Sequence, residues 1–328
     1  MSVASEVPET WSLSGDDAWN TLLSTGRLKL ARDGFKRMRA ADGFSHARSL
    51  AFLTALVSVQ GIITLVGLAS ALRAGASSDL IVRTLRAAVP GPAGQLLTEA
   101  VNQAHRAGAT HRYVALVVGG ASMLVTGCTL MGQVERGLNR LYGIEQDRPT
   151  LRKYGRALLL AVSAGLFATM AFVAIAIGRS IASSLATDAA TRLWNVSRWP
   201  VALLLSAASV ALLFKWSPRR RQPAWSWLAF GAIVSVGLWT LASMLLGLYF
   251  GVSASFGKTY GPVAGIVALL VWSLLSSIAL LYGAAMGAQL EAVRAGSPAP
   301  RDSAKSRTPK TRSETRRGAT RPVSIGRR

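Results

Sequence analysis

The chain has one cysteine and three histidines in 328 residues, and 15 acidic side chains against 37 basic ones. A single thiol, Cys128, excludes an intrachain disulfide, and inside an apolar stretch it reads as a small packing residue. His46, His105 and His111 lie far apart or in loops, without the spacing of metal ligands, so neither a metal nor another cofactor is expected. No phosphate loop of the form GxxxxGK followed by Ser or Thr is present, and no GxSxG or serine–histidine–carboxylate arrangement. Nucleotide hydrolysis and hydrolase chemistry are therefore not expected, and the chain reads as a non-enzyme. Charge is also missing from six apolar stretches: 49–72, 113–134, 157–178, 199–214, 224–250 and 260–288 hold no Asp, Glu, Lys, Arg or His.

What remains decides the class. Spanning the hydrocarbon core takes ~20 apolar residues at 1.5 Å rise each. The fourth stretch is short at 16 residues, but Trp199 and Trp216 extend it to 199–216 as interfacial anchors. With 51% hydrophobic residues and a mean hydropathy of +0.35, the sequence predicts an all-α polytopic membrane protein, a bundle of six transmembrane helices. Of the 37 basic residues, 28 fall in 1–48, 135–156, 215–223 and 289–328, and nine in the alternate gaps, including Lys258. Without the C-terminal segment the ratio is still 17 to 9. Lys/Arg bias sets topology, so both termini are expected in the cytoplasm, in a cell (inner or plasma) membrane. The net charge of +22 then belongs with anionic lipid headgroups at the cytoplasmic face, and no nucleic acid partner is expected. The first 48 residues carry no apolar signal core, so the first spanning helix is expected to direct insertion itself.

Three regions flank or interrupt the 49–292 membrane domain. Residues 1–48 form an N-terminal segment in which 1–26 are expected to be loose or disordered. In 27–48, Leu28, Leu30, Phe35 and Met38 are expected to dip into the leaflet among seven basic side chains, with Gly34 and Gly43 interrupting the helix. The external segment 73–112 carries Leu80, Ile81, Leu85 and Val89, then Pro90-Gly91-Pro92, then Leu96, Leu97 and Val101: two short amphipathic helices on the surface or capping the bundle. The tail 293–328 is basic and poor in apolar residues, and is expected to be disordered. Pro200, Pro223 and Pro262 mark helix starts. Gly247/Gly251, Gly257/Gly261, Gly261/Gly265 and Gly283/Gly287 suit close helix packing, with self-association into a homo-oligomer as the second reading. Trp194, Trp199, Trp216, Trp225 and Trp227 read as an aromatic belt, Trp239 and Trp272 as core or lipid-facing bulk. The three arginines at 219–221 read mainly as a topology lock.

Residues 231–284 resemble the hallmark region of the YihY/BrkB membrane protein family: Gly231-Ala232 opening a helix, internal Trp239, Tyr249 at its end, Tyr260-Gly261 closing a short loop, then Trp272 and Gly283-Ala284. GLNRLYG at 137–143 and ARSLAFLTALVSVQGIITL at 47–65 resemble its earlier segments. The resemblance spans roughly 30–292. Two positions depart from it: Gly61 stands where a proline is frequent, and Ala285 where a glutamate is frequent, with Glu291 the nearest acid downstream. The resemblance implies a six-helix membrane protein. The ribonuclease label once given to members is a misassignment that this sequence, without nuclease chemistry, agrees with.

The resemblance and the absence of buried charge point to a transporter-like or lipid-handling protein with a neutral, amphipathic cargo. A non-catalytic envelope scaffold acting through its basic tail is the alternative. The residues expected at a binding site are Gln60, Asn139, Arg140, Tyr142, Tyr249, Tyr260 and Gly261. Gln60 is an amide in mid-helix, Arg140 can meet a headgroup phosphate, and the tyrosines bracket the last external turn.

Overall fold

The computed structural model describes residues 3–71, 91–184, 188–252, 262–297 and 299–300. Among these there are eight helices and no strand: α1 (Gly15–Thr25), α2 (Arg27–Ala40), α3 (Gly43–Ala71), α4 (Gly91–Leu141), α5 (Thr150–Ser184), α6 (Asp188–Trp216), α7 (Trp225–Val252) and α8 (Pro262–Arg294). Five of them contain segments long and apolar enough to cross a membrane: Leu116–Leu141, Arg152–Ala171, Val196–Trp216, Trp225–Val252 and Val263–Arg294. The first expected span, 49–72, ends outside the described residues. Lys258, Gly257, Tyr260, Gly261, the external stretch 72–90 and the tail 301–328 also lie outside them.

The N-terminal segment is ordered, against expectation. Residues 3–14 cross one end of the bundle as an extended strap: Ala4 N–H donates to Arg140 O at 3.2 Å, and Val7 N–H to Tyr142 O at 3.1 Å. Its composition looks loose because its order comes from distant partners. The strap passes over Gly143, whose φ is +85° and where a Cβ would meet Glu6 N at 2.7 Å. Helix α1 follows, its first turn held by Ser14 N–H donating to Asp17 Oδ2 at 3.1 Å. Helix α2 runs through Gly34 unbroken, and Gly34 serves close packing on α8, since a side chain there would press on Met286 Sδ at 3.0 Å; the break comes at Asp42, φ 54°. Leu30 and Met38 are fully buried against the bundle rather than dipped in lipid. Trp11, Trp19, Leu23, Leu28 and Phe35 are the exposed large apolar groups of this region, and suit an interface, as expected for Leu28 and Phe35.

Three further expectations change. Pro200 lies inside α6, twelve residues past its first residue, so α6 starts well before its apolar run. Trp227 is 1% exposed and belongs to the core, while Trp199, Trp216 and Trp225 stay about half exposed. The Leu96/Leu97/Val101 pattern does not form a separate surface helix: it belongs to the 51-residue α4.

That helix is not straight. A Cβ on Gly265 would meet Leu96 Cβ at 2.8 Å, and one on Gly137 would meet Leu281 Cδ2 at 3.1 Å. Gly265 and Leu281 are sixteen residues apart on α8, about 24 Å, whereas Leu96 and Gly137 are forty-one apart on α4, about 61 Å at 1.5 Å per residue. Both contacts hold only if α4 bends back on itself between its two packed segments. The first turns of α4 therefore re-enter the bundle. There Ala93, Leu97 and Val101 bury against Ala55, Ala268 and Leu269.

Close approach of α7 and α8 depends on glycine. A Cβ on Gly283 would meet Gly231 O at 2.5 Å and Ser235 N at 2.8 Å, and one on Gly231 would meet Gly283 O at 2.9 Å. Gly265 packs on Leu96 in the same way, while Gly251 has nothing within 4 Å. The intramolecular reading thus holds for Gly283 and Gly265, and Gly251 takes no part. Gly283→Ala is expected to lower the thermal unfolding midpoint in detergent through overpacking of ~1–3 kcal/mol. Gly251→Ala, with open space around it, should match or slightly exceed the wild type; equal midpoints for both variants would sink the assignment.

Candidate functional site

Two places in the fold concentrate polar atoms, and they differ in kind. The first is a cavity of about 540 Å³ at the centre of the bundle, to which six helices contribute. Thr54, Ser58 and Gly61 come from α3, Met131 from α4, Thr169 from α5, Ser206 and Ser209 from α6, Trp239 from α7, and Trp272 and Ser276 from α8. No described lining residue is charged. The indoles of Trp239 and Trp272 meet edge to face with centroids 6.4 Å apart, and Trp272 Nε1–H donates to Ser243 Oγ at 3.0 Å. Several lining hydroxyls donate to backbone carbonyls: Ser58 to Thr54 at 2.8 Å, Ser206 to Ala202 at 2.8 Å, Ser276 to Trp272 at 2.7 Å, and Ser209 across to Ala164 on α5 at 3.0 Å. Their hydrogens are committed, so they offer the cavity oxygen lone pairs.

The second is a polar knot at the end of the bundle where the strap, the α4–α5 loop, the α6–α7 loop and the end of α8 converge. Arg37 is fully buried; Nε donates to Gln289 Oε1 at 2.7 Å, and Nη1 to Ser5 O at 3.0 Å and Leu141 O at 3.1 Å. Glu291 is also fully buried, 2.5 Å from Arg220 Nη2, and Thr10 Oγ1 donates to it at 2.6 Å; its Oε2 has no partner. The Arg220 guanidinium lies over the Tyr142 ring at 4.6 Å and reaches Pro8 O at 3.1 Å. Burial first, then the nearby Glu291 charge, pushes the Tyr142 hydroxyl well above its ordinary value, so it stays protonated. Asp147 collects Asn139 Nδ2 and Arg136 Nε at 3.2 Å and Lys153 Nζ at 3.3 Å. Burial raises its carboxyl, but the Asn139 hydrogen bond and the Lys153 and Arg136 contacts outweigh that and hold it below 3.8. Arg148 pairs with buried Glu135 at 3.0 Å and holds the Ser217 and Pro218 carbonyls at 2.7 Å. The 219–221 arginines are thus partly built in: Arg219 N–H donates to Asn139 Oδ1 at 2.8 Å, beyond any role as a topology lock.

The expected site residues do not converge. Asn139, Arg140 and Tyr142 are together in the knot, all buried, with Arg140 Nη1 donating to Ile144 O at 2.7 Å and Glu145 O at 2.5 Å rather than facing a headgroup. Gln60 lies in α3 among cavity-lining neighbours Val57, Ser58 and Gly61; its Oε1 is buried without a partner, and it is not itself in the lining. Tyr249 is 57% exposed near the far end of α7, against Phe250. Tyr260 and Gly261 lie outside the described residues. Sequence reading missed Arg37, Arg220 and the hydroxyl-lined cavity. Glu291 was noted only as the nearest acid after Ala285, and it does sit buried at that end of α8.

Comparison with known proteins places these features in a family. The family described as Virulence factor BrkB matches residues 34–308. The ribonuclease-like protein YfkH of Bacillus subtilis (strain 168) is 24% identical over 270 residues, 80% of this chain and 95% of YfkH. UPF0761 membrane protein IL2447 of Idiomarina loihiensis is 24% identical over 56% of this chain and 64% of its own length. A UPF0761 membrane protein of Stenotrophomonas maltophilia (strain R551-3) is 30% identical over 56% of this chain and 41% of its own. The match thus spans nearly all of YfkH, 64% of IL2447 and 41% of the Stenotrophomonas protein. No solved structure matches it.

Two predictions test the knot. Glu291→Ala leaves Arg220 buried without its counter-charge, and is expected to destabilise by ~3–5 kcal/mol. Thermal unfolding should show this loss, with part recovered in Arg220→Met/Glu291→Leu; a midpoint like the wild type for Glu291→Ala would refute the pairing. For Asp147, whose carboxyl is lowered in the fold, the stabilisation is present above 3.8 and fades as the pH falls through the lowered value. Asp147→Asn should therefore unfold earlier than the wild type at neutral pH, the gap closing only below 3.8. A gap independent of pH down to strong acid would show that charge is not its source.

Proposed function

The chain belongs to the Virulence factor BrkB family of membrane proteins, and from that premise we propose that it handles a neutral, lipid-like amphiphile in the central cavity, as a non-enzymatic, transporter-like membrane component. We place six helices across the cell membrane, with the knot, the strap and both termini on the cytoplasmic side. The alternating basic residues support this, as does the gathering of 1–48, 135–156, 215–223 and the end of α8 at one end of the bundle. Anionic headgroups are the partners of that face through its exposed Lys and Arg.

The observation that carries the reading is the cavity. Its lining is mostly apolar, it draws on six helices, and its described polar groups are uncharged hydroxyls and indoles. A phosphate or carboxylate headgroup needs several donors, and here the hydrogens of Ser58, Ser206, Ser209 and Ser276 already go to carbonyls. A cargo that brings its own donor, such as a hydroxyl on an apolar body, matches those lone pairs. The ribonuclease-like part of YfkH's name has no counterpart in this reading.

The alternative, a scaffold acting through its tail, has one specific support: Ser5 N–H donates to Pro300 O at 3.1 Å, so the basic tail leaves the bundle beside the strap. Removing 301–328 separates the two, since scaffolding loses its effect and cargo handling keeps it.

Native mass spectrometry of protein released from a mild membrane mimetic is the test. A single enriched neutral lipid is expected. Gly61→Leu, whose new Cβ stands at 3.7 Å from Met123 Cε and so fits without strain, should fill the cavity. It should reduce occupancy about ten-fold, equivalent to ~1.4 kcal/mol. Bulk lipids in proportion to their abundance, unchanged by Gly61→Leu, would overturn the reading.

A further inference from the structure

Helices α4 and α5 meet at one level and part at the next. Toward the knot, Met131 of α4 packs against Leu160 and Ala164 of α5 and Leu212 and Leu213 of α6, and a Cβ on Gly127 would stand 3.7 Å from Ala161 Cβ. Leu124 and Val117 follow Met131 at seven-residue steps within the span Leu116–Leu141, so all three share one face of α4. Yet Leu124 is 49% and Val117 67% exposed. The facing side of α5 changes in the same way. One turn beyond Ala161, a Cβ on Gly165 would have nothing within 4 Å. Ala168 and Thr169, next on that side, are exposed, and both line the central cavity. At ~100° per residue, Thr169 lies ~60° around α5 from Leu166, which is 59% exposed on the outer surface. The cavity lining thus runs round α5 to its outer face.

The parting has a cause in each helix. Helix α4 leans on α3, where a Cβ on Gly119 would press on Ile63 Cγ2 and Thr64 Oγ1 at 3.1 Å. Helix α5 stays with α6, where Ser209 Oγ donates to Ala164 O at 3.0 Å. Leu124 and Ala168 stand at the middle of the apolar stretches 113–134 and 157–178, each about long enough to cross the hydrocarbon once. Acyl chains therefore border the gap, and Val117, Leu124, Leu166 and Met170 are exposed to meet them.

We propose that the central cavity opens sideways into the bilayer through a portal between α4 and α5, and that acyl chains of membrane lipids occupy it. The cargo then enters from the hydrocarbon, apolar body first, without crossing water. Charged headgroups stay outside: of Val117, Leu124, Gly165, Ala168 and Thr169 at the rim, only Thr169 carries a polar side chain. Passage of the cargo rests on the cavity reading given above; the portal does not.

The test uses the full-length protein in vesicles of phosphatidylethanolamine and phosphatidylglycerol, doped with a phospholipid that carries a diazirine at mid-chain. After illumination, tandem mass spectrometry locates the adducts. They are expected at Trp239 and Ser276 inside the cavity, as well as at Leu166 and Met170 on the outer face of α5. Gly165→Trp fills the open side of α5 and should lower the inner adducts about ten-fold, with the outer ones staying within about two-fold. Leu124→Trp, from the α4 side, should act likewise, and stands in if Gly165→Trp does not fold. Outer adducts without inner ones in the wild type, or inner adducts that neither tryptophan lowers, would overturn the portal. Portal-dependent inner adducts, with no lipid enriched in native mass spectrometry, would uphold the portal and remove the cargo reading.

Discussion

Polar groups removed from water must find partners inside the protein, and in a bilayer almost all of the fold follows from that constraint. Helices satisfy their own backbones, so they cross. The strap at 3–14 has no such ladder, and it persists only because buried cations supply donors to its carbonyls. Arg37 reaches Ser5 O, Arg220 reaches Pro8 O, and backbone carbonyls of Arg140 and Tyr142 receive its N–H groups. Each guanidinium also ties the strap to α8, through Gln289 or Glu291. A planar five-donor group can join three segments at once, which an ammonium on a flexible stem does less well.

The same constraint shapes the interior. Without a hydrophobic drive between helices in lipid, closeness comes from missing side chains, and α7 touches α8 backbone to backbone at Gly231 and Gly283. Many hydroxyls at depth turn to carbonyls one helical turn back, while Ser209 bridges to α5 and Ser235 to the Leu280 carbonyl on α8. These choices leave a central cavity that is apolar in area and acceptor-like in its polar atoms. Rigid walls and a receptive centre therefore share an origin: the hydroxyl hydrogens of Ser58, Ser206, Ser209 and Ser276 are already directed at the protein.

Much of this architecture was legible in the sequence, and the reason is local. Apolar run length and the alternation of basic gaps depend only on nearby residues, so five of the six expected spans and the gathering of basic loops at one end could be read directly. The family resemblance at 231–284 rests on a long ordered motif and was equally readable. What escaped depends on residues far apart in the chain. Glu291 and Arg220 are seventy-one residues apart, and neither hydropathy nor charge bias marks them as partners. Trp227 looked like a belt residue because it lies near a helix start, but it is buried in the large core cluster that also takes in residues of α1 and α8. Asn139, Arg140 and Tyr142 stand out in the sequence, and the structure ties all three into the loop geometry of the knot, through partners that sequence spacing does not reveal.

The re-entrant part of α4 shows how a correct pattern can be placed in the wrong medium. Leu96, Leu97 and Val101 were recognised as one face of an amphipathic helix, and a surface position was the natural inference, because amphipathic helices next to membranes usually lie at the interface. Gly265 changes the outcome: it opens a groove on α8 that admits the helix into the bundle. The apolar face of that segment is then spent on helix packing, where Ala93, Leu97 and Val101 bury against Ala55, Ala268 and Leu269. The position of one glycine on α8 thus decides whether the apolar face of that segment meets protein or the membrane surface.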